Sequence, residues 1–151
     1  LRADAARVAE RCVDYASYLL ETDLLSRIPD SPGGRTAGTI GYHDPCHLGR
    51  HAKVYDPPRN VLKAIPGVQL IDLKHEKDDS HCCGAGGGFK AGFNEMAEDI
   101  AARRVREAVD AGAEVIVTSC PFCQVNLNAG AKKAGLDIKT MDVVQVALTA
   151  A

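Results

Sequence analysis

Apolar residues along this 151-residue chain recur with two different periods, and the changes from one to the other mark its elements. From Ala3 to Leu25, the residues Ala5, Val8, Ala9, Cys12, Val13, Ala16, Leu19 and Leu20 return at helical spacing, with Arg7, Glu10, Arg11 and Asp14 opposite them. This pattern predicts one amphipathic helix, with Cys12 as a small buried hydrophobe on its apolar stripe. Ile28 to Thr36 is dense in Pro and Gly and reads as a loop. It separates a lead-in helix and linker, residues 1–36, from the main domain, residues 37–151.

Within the main domain, Thr39 to Asp44 is a short strand ended by Pro45, Pro58 to Ile65 a short helix closed by Pro66-Gly67, and Val68 to Leu73 a second strand. The polar stretch Lys74 to Ser80 is a loop. Phe93, Met96, Ala97, Ile100, Ala101, Ala108 and Val109 then mark a long helix stopped at Gly112. Glu114 to Ser119 contains a β-branched run of the kind buried on both faces of a parallel sheet. Pro121 suits the first turn of a helix running to Gly135, which puts Cys120 near its N-cap and Cys123 in its first turn, where free N–H groups favour a thiolate. Ile138 to Met141 is a fourth strand and Val143 to Leu148 a last helix. Alternating strands and helices predict an α/β fold, a Rossmann-like parallel sheet with flanking helices.

Composition narrows the functional classes. A formal net charge of −2, few aromatics and no Trp argue against nucleic-acid binding. No apolar run approaches the roughly 20 residues of a membrane span, so direct membrane insertion is not expected. The chain begins at Leu1 and carries no secretory signal, so it reads as a piece of a longer cytoplasmic protein, peripheral to a membrane complex at most. In a reducing compartment its six cysteines suit metal ligation better than disulfides.

Five of those cysteines form the pattern C-x35-C-C-x36-C-x2-C, namely Cys46, Cys82, Cys83, Cys120 and Cys123. Each follows the end of a predicted strand, and in an open parallel sheet the carboxyl ends of the strands form the binding edge. The glycine run after Cys82-Cys83 lets backbone approach a bulky inorganic group and offer it N–H donors. An all-thiolate set favours iron–sulfur or other soft-metal chemistry over magnesium or calcium. Zinc on four of the five thiolates is the alternative. A nucleotide-binding reading of the glycines fails because no Gly-Lys-Ser/Thr follows. His43, His47, His51 and His81 crowd the motif as hydrogen-bonding neighbours, with His43 and His81 the better placed for it. Asp44 and Pro45 shape a turn. Arg50 and Arg59 read as surface ion-pair partners, with steering of an anionic thiol or disulfide as the second reading.

The stretches Tyr42 to Arg50, Cys82 to Gly88 and Cys120 to Leu127 resemble the cysteine-rich CCG domain of heterodisulfide reductase subunits and of related proteins of lactate, glycolate and glycerol-3-phosphate oxidation. The likeness runs from Gly41 to about Met141 and looks strongest to the iron–sulfur subunit of membrane-linked heterodisulfide reductases. It implies a noncubane [4Fe–4S] cluster on Cys46, Cys82, Cys83, Cys120 and Cys123. It also implies an oxidoreductase subunit that reduces a disulfide or passes electrons to it, with other subunits or domains of an electron-transfer complex as partners and a thiol or disulfide as substrate. The alternatives within the same resemblance are an electron-transfer module of a membrane-linked or lactate/glycolate oxidation complex and a structural zinc-binding CCG domain. Many family members carry two such motifs and a ferredoxin-like segment; this sequence has one motif and no such segment, so a fragment inactive alone is expected.

Overall fold

Four short strands, β1 (Thr39–His43), β2 (Gln69–Ile71), β3 (Val115–Thr118) and β4 (Lys139–Asp142), pair in the order β2-β1-β3-β4 with every neighbour parallel. The structure is a computed structural model and describes residues 1–22, 24–27 and 38–149. The connections that parallel pairing demands are helices: α3 (Asp56–Ala64) joins β1 to β2, α4 (Phe89–Gly92) and α5 (Asn94–Asp110) join β2 to β3, and α6 (Pro121–Ala134) joins β3 to β4. After β4 comes α7 (Val143–Thr149). Because β2 and β3 lie on opposite sides of β1, the order reverses between β1 and β3, and the loops leaving those two strands diverge to open a crevice there.

Side chains alternate across the sheet and so sort into two cores. Ile40, Tyr42 and Val117 face α3, α7 and an N-terminal helix, packing with Val61, Leu62, Val143 and Val146. Ile116 faces the other way, toward Val105 and Ala108 of α5 and Leu127 and Ala131 of α6. Register pairs Gly41 with Ile116 and His43 with Thr118, so His43 and Thr118 end the strands on the α5/α6 face. The two helices of that face touch at backbone distance: a Cβ on Gly130 would lie 2.6 Å from backbone atoms of Ala101 and Ala102.

The N-terminal region departs from the single helix that its periodicity predicts. It divides into α1 (Arg2–Ala9), which buries nothing, and α2 (Tyr15–Glu21), which sets Ala16 into the core. Asp14 causes the break, since its backbone is extended and its Oδ1 accepts N–H bonds from Ala16 (3.0 Å) and Ser17 (3.1 Å), a helix start imposed inside the periodic run. Cys12 falls in the turn between the helices and is exposed, not buried. Phe93 and Met96, expected on the buried stripe of the long helix, are exposed as well, at 60% and 55%. The breaker-rich loop Ile28–Thr36 lies outside the described residues. No helix among those described is long and apolar enough to cross a membrane.

Candidate metal centre

Three chain segments meet at the β1/β3 crevice. The first leaves β1 as Asp44-Pro45-Cys46 and winds into a single π-helical turn, His47–His51. The second is the loop from β2 to the glycines. Asp44 holds these two together, because its buried carboxylate takes both Arg59 nitrogens, at 2.6 and 2.8 Å, and the backbone N–H of Lys77 at 2.8 Å. Arg50 adds a second clamp by donating to the carbonyls of Asp78 and Ser80. Neither arginine is therefore free to steer a substrate, and Arg59 is a buried partner rather than a surface one. The third segment is the start of α6, where Cys120 is the N-cap, Pro121 the first helical residue and Cys123 lies in the first turn.

These segments enclose a cavity of about 520 Å³ lined by Cys46, Cys83, Cys120, Cys123 and the backbone of Gly86 to Gly88. Four of the five predicted cysteines thus share one space. Cys82 stands at its edge with its thiol beside that of Cys83, lines the neighbouring cleft, and accepts the Gly84 N–H at 3.2 Å. Cys12 is exposed in the α1–α2 turn and takes no part in this wall. The vicinal pair needs Gly84 next to it: its φ is +85°, and a Cβ there would lie 2.6 Å from the Ala97 carbonyl oxygen.

The sulfurs share protons unevenly. Cys83 is held far below the usual thiol range by hydrogen bonds from Cys123 and Cys82 and by His43 nearby, while Cys123 and Cys82 are pushed up, chiefly as the donors to Cys120 and Cys83 and then by burial. Cys120 is lowered to about 6, first by Cys123 and then, against burial, by the N–H groups of Cys123 and Phe122 that open α6. The helix end therefore favours the N-cap thiolate of Cys120, whereas the sequence pointed to Cys123. So many adjacent sulfurs cannot all ionise unless a cation replaces the retained protons.

Of the histidines, His43 is fully buried and one of its ring nitrogens lies within 4.8 Å of the sulfurs of Cys83 and Cys123. Burial lowers its pKa, with Arg104 acting in the same direction. His81 faces Glu107, Nδ1 to Oε2 3.1 Å, and stacks on His75, while His47 and His51 stack on each other. Two residues that shape the site escaped the sequence reading. Arg104 of α5 is buried beside His43, and Asn126 of α6 donates to the carbonyls of Cys83 and Ala97, fixing the cysteine loop to both helices. Arg104 did leave a signal, a charged residue between Ala101 and Ala108 on the apolar stripe.

The donor set suits a polynuclear, sulfur-bound group. Four cysteine sulfurs and the backbone of Gly86 to Gly88 share its wall with Pro45, His47, Ala85, Lys90, Ala91 and Phe122, and two buried polar groups at the strand ends, His43 Nε2 and Thr118 Oγ1, have no hydrogen-bond partner among the described residues. Such orphans are rare in native folds, and the His43 ring lies beside the sulfurs of Cys83 and Cys123. The family model described as "CCG: Cysteine-rich domain" matches residues 40–128. The chain belongs to this CCG family. One subunit of the dihydromethanophenazine:CoB–CoM heterodisulfide reductase of Methanosarcina acetivorans is 48% identical to it over 106 residues, covering 70% of this chain and 26% of that protein. One subunit of the CoM/CoB fumarate reductase of Methanothermobacter marburgensis is 33% identical over 141 residues, 88% of this chain and 28% of that protein. The probable iron–sulfur-binding oxidoreductase FadF of Bacillus subtilis is 44% identical over 110 residues, 72% of this chain and 16% of its own length. This CCG domain thus spans less than a third of each of these relatives.

Proposed function

We propose that this CCG domain binds a [4Fe–4S] cluster of the noncubane type through Cys46, Cys82, Cys83, Cys120 and Cys123, as part of a heterodisulfide reductase-like oxidoreductase. In that assembly it reduces a disulfide or passes electrons to one, working with further subunits or domains. The observation that carries the reading is the meeting of four cysteines from three segments around one glycine-walled cavity at the sheet's switch point, with Cys82 at its rim. The relatives named above are iron–sulfur or reductase proteins, which supports the same chemistry.

When bound, the cluster supplies one-electron transfer and a thiophilic metal surface for a substrate sulfur. The chain's own residues do the rest. Cys120 and Cys83 enter as thiolates, and the protons on Cys82 and Cys123 leave on binding. The glycine backbone approaches without side chains, and the Asp44–Arg59 pair fixes the two loops that present Cys46 and Cys83. Pro45, Ala85 and Phe122 line the cavity and keep part of its wall dry.

The test is a set of five single Cys→Ser variants, reconstituted anaerobically and read by EPR and Mössbauer spectroscopy with and without a thiol or a mixed disulfide. Loss or alteration of one cluster spectrum in all five, with the substrate changing the wild-type signal, is the expected result. A spectrum indifferent to Cys82→Ser and Cys46→Ser would refute the ligand set. A signal indifferent to any thiol or disulfide would refute the disulfide chemistry.

A further inference from the structure

The geometry points to His43 as a fixed Nε2–H donor to the sulfur of Cys83, not a metal ligand, with Arg104 as the positioning residue that fixes its tautomer and so tunes the bound cluster. The inference rests on the iron–sulfur reading above and goes beyond it by giving a role to two residues outside the cysteine set.

Strand alternation sets the direction of the ring. His43 is the last residue of β1 and points to the α5/α6 face, where Arg104 reaches it from the inward side of α5. Both side chains are 1% exposed. Arg104 Nε donates to His43 Nδ1 at 3.2 Å. A guanidinium has donors only and keeps its charge in proteins, so Nδ1 must present its lone pair. The single proton of the neutral ring then sits on Nε2. That nitrogen has no nitrogen or oxygen partner among the described residues, and with Nδ1 taken by Arg104 it is the one left for the neighbouring sulfurs. A nitrogen that carries a proton cannot ligate a metal, so the group His43, Cys83 and Cys123 is not a mixed nitrogen–sulfur site despite its spacing.

Arg104 is itself held from behind. Its Nη1 donates to Glu107 Oε1 at 2.7 Å, that oxygen also accepts the His75 backbone N–H at 2.8 Å, and Nη2 reaches Ser80 Oγ at 3.5 Å. The guanidinium therefore cannot swing away to release the ring. Glu107 offsets much of its charge, which leaves the oriented Nε2–H, rather than the guanidinium charge, as the influence of this pair on the sulfur. Hydrogen bonds to cluster sulfurs stabilise the reduced, more negative state and raise the reduction potential.

The test uses the reconstituted full chain labelled with ¹⁵N-histidine. Electron–nuclear double resonance on the reduced cluster should show an exchangeable proton coupled to it and only weak ¹⁵N coupling. The strong ¹⁵N coupling of a directly bound nitrogen would overturn the proposal. In redox titrations, His43→Leu should lose the proton signal and make reduction about tenfold less favourable, about 59 mV lower for a one-electron couple. His43→Gln, which returns an N–H donor near the Nε2 position, should restore most of that shift. Arg104→Gln should lower the potential in the same direction and weaken the proton coupling. Unchanged potentials in His43→Leu and Arg104→Gln with intact clusters would also overturn it. If the wild-type chain takes up zinc but no iron and sulfide, the cluster reading is what fails. Histidine ¹⁵N shifts of the zinc-filled protein then decide the tautomer alone, an unprotonated Nδ1 supporting the proposal and a protonated one ending it.

Discussion

Replacing Arg59 by Leu should destabilise the domain far more than a surface arginine would. The side chains of Arg59 and Asp44 are only 7% and 2% exposed, and their two short contacts form a bidentate pair. The same guanidinium donates to the Tyr55 carbonyl at 2.9 Å and lies 4.8 Å from the centre of the Tyr42 ring. Arg59→Leu would leave the Asp44 carboxylate buried with one remaining partner, the Lys77 N–H. Removing one partner of a buried pair costs about 3–5 kcal/mol, a large part of the roughly 5–15 kcal/mol that holds a domain together. With urea slopes of about 1–3 kcal/mol per molar, the unfolding midpoint should fall by on the order of 2 M. Asp44→Asn combined with Arg59→Leu should recover at least about 1 kcal/mol, because the stranded charge is gone. The assay is urea unfolding followed by far-UV circular dichroism. A loss below about 1 kcal/mol for Arg59→Leu would refute the reasoning and return Arg59 to a solvated, substrate-steering role.

Other outcomes follow from the same geometry. Gly84→Ala should cost about 2–5 kcal/mol from the positive φ and the collision with the Ala97 carbonyl, and it should impair metal uptake; a stable, fully loaded variant would contradict the close approach. Cys12→Ser should change stability by no more than about 0.5 kcal/mol and leave metal content intact, since the thiol is exposed, whereas Cys83→Ser should lose metal. Metal loading should strengthen as pH rises, because Cys82 and Cys123 must give up protons they hold unusually tightly, and it should weaken further below about pH 6, where Cys120 protonates too. Loading followed by absorbance across pH 5–9 checks this, and a flat profile would contradict it.

Much of the architecture was legible because its signals are local. The β-branched run before Cys120, Pro121 at the first helical position, and Gly112 and Gly135 after the helix ends each place a boundary within a residue or two of where it falls. The meeting of Cys46, Cys83, Cys120 and Cys123 at one cavity was legible because topology gathers the residues that follow strand ends, whatever their distance in sequence. What escaped depends on which neighbour arrives. Periodicity marks the stripe of Val8, Cys12 and Val13 but cannot show that Asp14 starts a new helix there or that no described element covers α1. Likewise Arg104 and Asn126 look like polar interruptions of two helices until the folded chain sets a histidine beside one and two carbonyls beside the other. Arg59, read as a surface residue, is buried because Asp44 and the loop ahead of Cys82 close over it.

Iron and acid-labile sulfide per chain, determined on protein prepared without exposure to oxygen, test the central claim most directly. About four of each, in equal amounts, are expected, with neither retained when Cys83 and Cys120 are both replaced by Ser. One zinc per chain with no labile sulfide, unchanged after anaerobic reconstitution with iron and sulfide, would contradict it.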